Sequence, residues 1–319
     1  MGDRFLQGWI CRYQREHPPP GEKSHRDSLL GESSMTWEPL EVQDLSKAIR
    51  FIGEKEWVCE HLVTRLLKKN RTKSIEPDQV WMGYRNGRPA GILYVSHQGL
   101  LLPYLPFLEE TPQLPLEVFT PVKEALSDKA IRIFSIVGKL LYVEAMEELF
   151  RFNGGVPIDY HLMTRSKQIP LPPPPILPYF QIRKATLEDL DRILPLQILY
   201  EKEEVLIRPE LIDPEKTRTD LKVTLREQYI LLGEYEGTAV SKAGTNARGI
   251  LYDQIGGVFT EPKHRGKHFA QALMIRLLQQ IHGEGKNACL FVKVHNRAAI
   301  HLYKELGFQI QEAFRIHYL

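Results

Sequence analysis

Residues 254–280 read QIGGVFTEPKHRGKHFAQALMIRLLQQ, and their order decides the fold. The stretch 255–260 is apolar and β-branched enough for a strand, and Pro262 with a basic cluster ends it. Beyond Gly266, the residues Ala270, Leu273, Met274, Leu277, Leu278 and Ile281 recur at three-to-four spacing, which predicts a helix with one buried face. A strand that turns through a basic, glycine-containing loop straight into a helix leaves backbone N–H groups free at the helix start. Such a turn suits a phosphate.

At 319 residues the chain exceeds the size at which one hydrophobic core usually keeps growing, so two domains are expected. An apolar share of 43% with 26% charged residues belongs to a folded chain, not a disordered one. The net charge of +2 comes without a basic stripe, which argues against a nucleic-acid partner. No apolar run reaches the roughly 18 residues of a membrane span, and no secretory signal is evident. The expected location is therefore cytoplasmic, with no membrane partner. Cys11, Cys59 and Cys289 follow no metal-ligand spacing and fit free thiols of a reducing compartment. His264, His268, His295 and His301 lack a carboxylate or thiol set around them, so no metal is expected.

In chain order, residues 1–34 read as a tail of uncertain order, ended by the run Pro18-Pro19-Pro20-Gly21 and a polar stretch. Residues 35–168 read as a first domain. Two helices are expected over 37–69 with a break near Gly53, then a hairpin around Asn86-Gly87. A strand over 131–137, a helix over 140–150 and a strand over 159–163 follow. The segment 169–178, IPLPPPPILP, is rich enough in proline for a stiff extended linker; its PxxP string is the one hint of a peptide-interaction module. Residues 179–319 read as a second domain. Thr186 and Asp189 have capping-box spacing, Pro195 should interrupt or kink the helix they start, and Glu236-Gly237 marks a hairpin. Residues 245–249 read as a turn.

A second stretch, LFVKVHNRAAIHLYKELGF at 290–308, sharpens the reading. It resembles the Asn-x-x-Ala-x-x-x-Tyr-x-x-x-Gly-Phe signature of the GNAT superfamily of acyl-coenzyme A N-acyltransferases, through Asn296, Ala299, Tyr303, Gly307 and Phe308. In that superfamily the loop after the fourth strand reads Gln/Arg-x-x-Gly-x-Gly/Ala. The chain offers Arg265, Gly266, Lys267, His268, Phe269 and Ala270, with His268 where the family has glycine. The resemblance implies an α/β fold of two GNAT-like domains, each a central mixed, mainly antiparallel sheet flanked by helices. The first domain is degenerate, since it has no counterpart of the basic loop, and this pattern is similar to a narrower bacterial group of two-domain proteins.

The resemblance also implies roles. Acetyl-coenzyme A would be the co-substrate, its pyrophosphate on the loop amides of residues 265–270 and its pantetheine arm along Val258, Phe259 and Thr260. The N–H of Val258 or Phe259 would face the thioester oxygen. Asn296 would help position the arm, and Tyr303 would protonate the departing thiolate. The acceptor would be a primary amine on a small molecule or a peptide. For the general base, Glu203, Glu204, Glu261 and Asp253 stand as candidates, since clustered carboxylates can be raised toward neutrality. The short chain end after Phe308 leaves room for one strand, so its edge should be covered by the first domain or by a second copy in a homodimer. That would bring Leu319 near the groove, and in some tandem-domain relatives the terminal carboxylate is the base. A non-catalytic acyl-coenzyme A-binding regulator or scaffold is the alternative, favoured by His268 and opposed by Asn296 and Tyr303.

Overall fold

Twelve strands of the computed structural model join in a single mixed, largely antiparallel sheet flanked by helices. The structure describes residues 35–110, 116–128, 131–151 and 154–319. The tail expected at 1–34 lies outside the described residues.

The first half of the sequence supplies β1 (Met35–Pro39), α1 (Leu45–Ile52), α2 (Glu60–Thr72), β2 (Gln79–Arg85), β3 (Arg88–Val95), β4 (Leu100–Tyr104), α3 (Phe107–Glu110), α4 (Thr120–Asp128), β5 (Ser135–Lys139), α5 (Leu140–Phe150) and β6 (Val156–Arg165). The second supplies β7 (Phe180–Lys184), α6 (Leu190–Tyr200), α7 (Pro214–Glu227), β8 (Ile230–Tyr235), β9 (Thr238–Arg248), β10 (Tyr252–Thr260), α8 (Phe269–Gly283), β11 (Asn287–Lys293), α9 (Arg297–Glu305) and β12 (Gln309–Tyr318). Between them, residues 166–179 carry neither helix nor strand.

The strand order is β1-β2-β3-β4-β5-β12-β6-β11-β10-β9-β8-β7. Replacing each strand by its counterpart in the other half returns the same order reversed, so the halves are related by an approximate two-fold. Each half leaves a gap before its last strand, and the last strand of the other half fills it. β12 lies between β5 and β6, and β6 lies between β12 and β11. Across this seam Lys139 pairs with Phe314, Phe314 with Tyr160, and Tyr160 with Lys293. Tyr160, Leu162 and Phe314 form a small buried cluster there, between the large core of the first half and the two cores of the second. The expected edge of β12 is thus covered from within the chain.

Other ties cross the seam. A Glu56 carboxylate oxygen accepts the backbone N–H groups of Leu251 and Tyr252, both at 3.0 Å. Gly249 has to be glycine for this contact, because a Cβ there would meet the same oxygen at 2.0 Å. Fully buried Arg165 donates to the carbonyls of Leu306 (2.6 Å), Ile169 (2.8 Å) and Pro170 (3.0 Å), which fastens the start of the proline stretch to the corner before Gly307.

Four local expectations are corrected, the first being the strand expected over 131–137, which spans Ser135–Lys139. Residues 35–39 form a strand rather than the start of a helix: β1 pairs with β2, and only Trp37 of its side chains is buried. Residues 245–248 continue β9 instead of turning, with Thr245 and Ala247 buried on the ladder. Pro195 sits inside an unbroken α6, whose flanking Ile193 and Leu196 are buried; the helix widens later, into a π-type turn at Glu201–Val205. The break at Gly53 (φ +54°) and the Thr186–Asp189 capping box both appear, the Asp189 carboxylate accepting the Thr186 N–H at 2.9 Å.

Candidate functional site

β10 and β11 run parallel through residues 252–254 and 287–289 and then part. β11 stays paired with β6 along its other edge, while β10 stays with β9 and bulges: Gly257 and Val258 together oppose the single residue Ala243. The wedge between the two strands opens into a groove of about 730 Å³. Residues 258–260 form one wall and the loop 265–270 another, and Asn296, Ala299 and Tyr303 of the β11–α9 segment face them. Glu203 and Glu204 border it from the π-type turn. All the residues expected to hold coenzyme A therefore meet in one place.

The loop owes its shape to two left-handed residues. Gly266 has φ +76° with open space where a Cβ would stand, and His268 has φ +59° although it is not glycine. His268 precedes α8, and its ring Nδ1 lies 3.0 Å from Gln271 Oε1. Phe269, the first residue of the helix, is fixed by parallel stacking on Phe180 at 4.0 Å between centroids. Lys267 lies over the Tyr235 ring, and Arg265 over that of Phe259. The Arg265 guanidinium also donates to the Thr260 carbonyl at 3.0 Å and pairs with Glu203 at 2.7 Å. Free helix-start N–H groups, two left-handed turns and flanking cations make a seat for a phosphate group.

At the other wall, Asn296 does two tasks. Its carbonyl oxygen caps α9 by accepting the Ala299 N–H at 3.1 Å, and its amide donates to Glu204 at 3.2 Å. Lys293 pairs with the second oxygen of Glu204 at 3.3 Å. Tyr303 is 7% exposed; burial, with smaller contributions from Tyr200 and Glu204, pushes its hydroxyl pKa up, so it stays protonated and able to donate.

Three sequence candidates are not brought here. Asp253 is buried between Arg248 (3.1 Å) and Lys286 (2.8 Å), away from the groove. Glu261 faces Lys263 and His264 beyond the strand end. Leu319 donates its N–H to the Phe134 carbonyl and lines a different cavity with Lys123 and Phe150, although its neighbour Tyr318 lines the groove. Conversely, Tyr160, Tyr200 and Tyr318 line the groove without having been singled out. Tyr200 could have been found on the helix before Glu203; Tyr160 and Tyr318 could not, since only the exchange places them there. Among the described residues no cluster of three His, Cys, Asp or Glu side chains could hold a metal, and no helix is long and apolar enough to cross a membrane.

Comparison with known proteins agrees with this geometry. A family model described as FR47-like protein matches residues 232–316, which include β10, the 265–270 loop and α9 of the groove. No curated protein sequence matches the chain. Among solved structures, a Drosophila protein is similar over 90% of this chain and 99% of its own, at 13% identity and a TM-score of 0.65. A GCN5-related N-acetyltransferase from Sphaerobacter thermophilus is similar over 91% and 96%, at 15% identity and a TM-score of 0.58. A tandem GNAT protein of the clavulanic acid biosynthesis pathway is similar over 90% and 98%, at 10% identity and a TM-score of 0.54. Nearly the whole described chain, both halves included, thus has the fold of the GNAT-superfamily acetyltransferases in an arrangement consistent with the tandem form.

Proposed function

We propose that the protein is an N-acetyltransferase that moves the acetyl group of acetyl-coenzyme A to a primary amine, by direct attack while both substrates are bound. The observation that carries this reading is the convergence of the 265–270 loop, the bulged edge of β10 and Tyr303 on one groove. The loop amides and the Arg265 and Lys267 side chains would take the pyrophosphate. The backbone of residues 258–260, freed where β10 and β11 part, would pair with the pantetheine amides, and an N–H of the bulge would meet the charge that builds on the thioester oxygen. Tyr303 is kept protonated by its burial and would give its proton to the leaving thiolate.

Glu204 is our candidate for receiving the proton of the attacking amine. Lys293 occupies one of its oxygens, and a cationic amine entering the groove would compete for that place. The acceptor is a small-molecule or peptide amine. We assign the first half, residues 35–168, the part of a wall, since it lends Tyr160 to the groove, and residues 179–319 the part of catalytic domain. His268 holds a left-handed backbone conformation of the kind a glycine readily adopts, which supports the catalytic reading over the non-catalytic scaffold.

Calorimetric titration with acetyl-coenzyme A, followed by an acceptor screen scored by free-thiol release, tests the proposal. One site per chain and thiol release with at least one class of amine are expected. Failure to bind acetyl-coenzyme A would overturn it; binding without turnover on any amine would leave the scaffold reading.

A further inference from the structure

The bulge of β10 is gripped from behind by a buried cation. Lys242 is only 4% exposed, and its ammonium donates to the Gly257 carbonyl at 2.9 Å. The same ammonium stands 4.4 Å from the centroid of the Tyr200 ring. The Tyr200 hydroxyl oxygen in turn accepts the Gly257 N–H. Gly257, at φ +61°, therefore has both of its backbone polar groups held by side chains instead of by the neighbouring strand. Burying a lysine in a strand costs several kcal/mol in order of magnitude unless its charge is used, and no carboxylate among the described residues pairs with this one. Burial draws its pKa down to about 7, and Glu201, engaged with Gln197 (2.8 Å) and Thr217 (2.6 Å), is the nearby charge that holds it up.

The Gly257 carbonyl and the Val258 N–H belong to one planar peptide unit and point in opposite directions. Gripping the carbonyl fixes the direction of that N–H, and a cation on the carbonyl polarises the unit and strengthens the N–H as a donor. We infer that Lys242 is the positioning residue of the oxyanion donor: by holding the Gly257 carbonyl it aims and polarises the Val258 N–H toward the thioester oxygen. This rests on the reading that the groove takes acetyl-coenzyme A. It also decides between Val258 and Phe259, which the sequence leaves open, because Phe259 returns to register opposite Lys242 on β9.

The test uses the full chain with acetyl-coenzyme A labelled with carbon-13 at the thioester carbonyl, and needs no acceptor. In the wild type, infrared difference spectra should show the carbonyl stretch lowered on binding. In Lys242→Met most of that lowering should be lost, while acetyl-coenzyme A affinity stays within about threefold and the melting temperature does not fall. Once an acceptor is known, kcat should drop with little change in KM; removing an oxyanion donor outright costs roughly 10²–10³ in kcat, so weakening one should cost about tenfold. Lys242→Arg, which keeps the cation, should restore the spectral shift. Lys242→Gln serves in place of the methionine variant should that one not fold. An unchanged carbonyl stretch in the folded neutral variants overturns the inference and leaves the acetyltransferase reading standing. Absence of acetyl-coenzyme A binding in the wild type overturns both.

Discussion

The two halves share six strands in the same order, yet one keeps an open groove and the other has filled it. In the first half β4 and β5 run parallel through residues 100–101 and 135–136, as β10 and β11 do in the second. Where the second half opens, the first is closed by Pro103, which lies 3.5 Å from the position a Cβ on Gly138 would take. The second half follows its wedge with a basic loop and the long helix α8; the first follows its own with α3, whose residues include Glu109 and Glu110. Glu109 accepts the Tyr142 hydroxyl at 2.5 Å and the Lys139 ammonium at 3.1 Å. Lys139 and Lys293 are register counterparts across the seam, so a carboxylate satisfies the cation that the shared topology provides in each half. The topology supplies the wedge. Whether it becomes a site depends on the sign of the charge at the loop and on a helix start that faces it.

The largest effect should come from breaking the seam on which the comparison rests. Phe314 is 5% exposed, lies between β5 and β6, and stacks on Phe291 at 5.0 Å. Phe314→Ala should cost about 3–5 kcal/mol. Because β6 and β12 are exchanged, both halves should melt in a single transition, followed by tryptophan fluorescence for the first half and by acetyl-coenzyme A protection for the second. Two separate transitions would show that each half holds its fold without the other's strand.

Next is the acid. With an acceptor in hand, Tyr303→Phe should lower kcat by roughly 10- to 1,000-fold while acetyl-coenzyme A affinity is nearly unchanged, as expected of a group used in the transition state. Tyr142 of the first half, bonded to Glu109, is the internal control: Tyr142→Phe should leave kcat unaltered. Full activity in Tyr303→Phe would remove the acid assignment.

How far the sequence reaches is clear from particular residues. The helix at 140–150 was legible to the residue because its apolar spacing and its bounding strand agree. The Asn86-Gly87 hairpin was legible because both residues take φ near +50° to +75°, which their side chains tolerate. β1 was not, since an edge strand with one buried side chain has no alternation to read. Residues 245–248 look like a turn by composition, and the alternation of buried Thr245 and Ala247 was the signal that outweighed it. Within the site, the loop and the 296–308 motif were legible because each is contiguous. Lys242 was not. Its strand is buried on both faces, so nothing in the alternation marks one lysine as gripping the bulge.

A smaller effect concerns the charge of the loop. Arg265→Glu should weaken acetyl-coenzyme A at least tenfold, about 1.4 kcal/mol, since it also sets two carboxylates, Glu203 and the new one, against the phosphates. Titration should then find no site at all in the first half, whose loop is already acidic. A second site appearing in wild-type titrations would mean that the first half's wedge is less closed than Pro103 and Glu109 make it.

The smallest effect should come from the one residue that departs from the family pattern. His268 holds φ +59°, and a non-glycine residue there pays roughly 1–2 kcal/mol, partly recovered through the exposed contact of its ring with Gln271. His268→Gly removes that strain but also gives the unfolded chain more freedom, which cancels part of the gain. The net should be a stabilisation of about 0.5–1 kcal/mol, or roughly 2 °C in melting temperature for a chain of this size. Affinity for acetyl-coenzyme A should stay the same or rise, because the backbone is already in the conformation that glycine would adopt and only the imidazole is removed. A loss of affinity beyond tenfold would place the imidazole on the cofactor's phosphates, and the second half would then owe its anion seat to a side chain as well as to the helix start. A loss of stability would mean that the ring's contact with Gln271 outweighs the backbone strain, so that His268 is retained for the fold of the loop rather than tolerated in it.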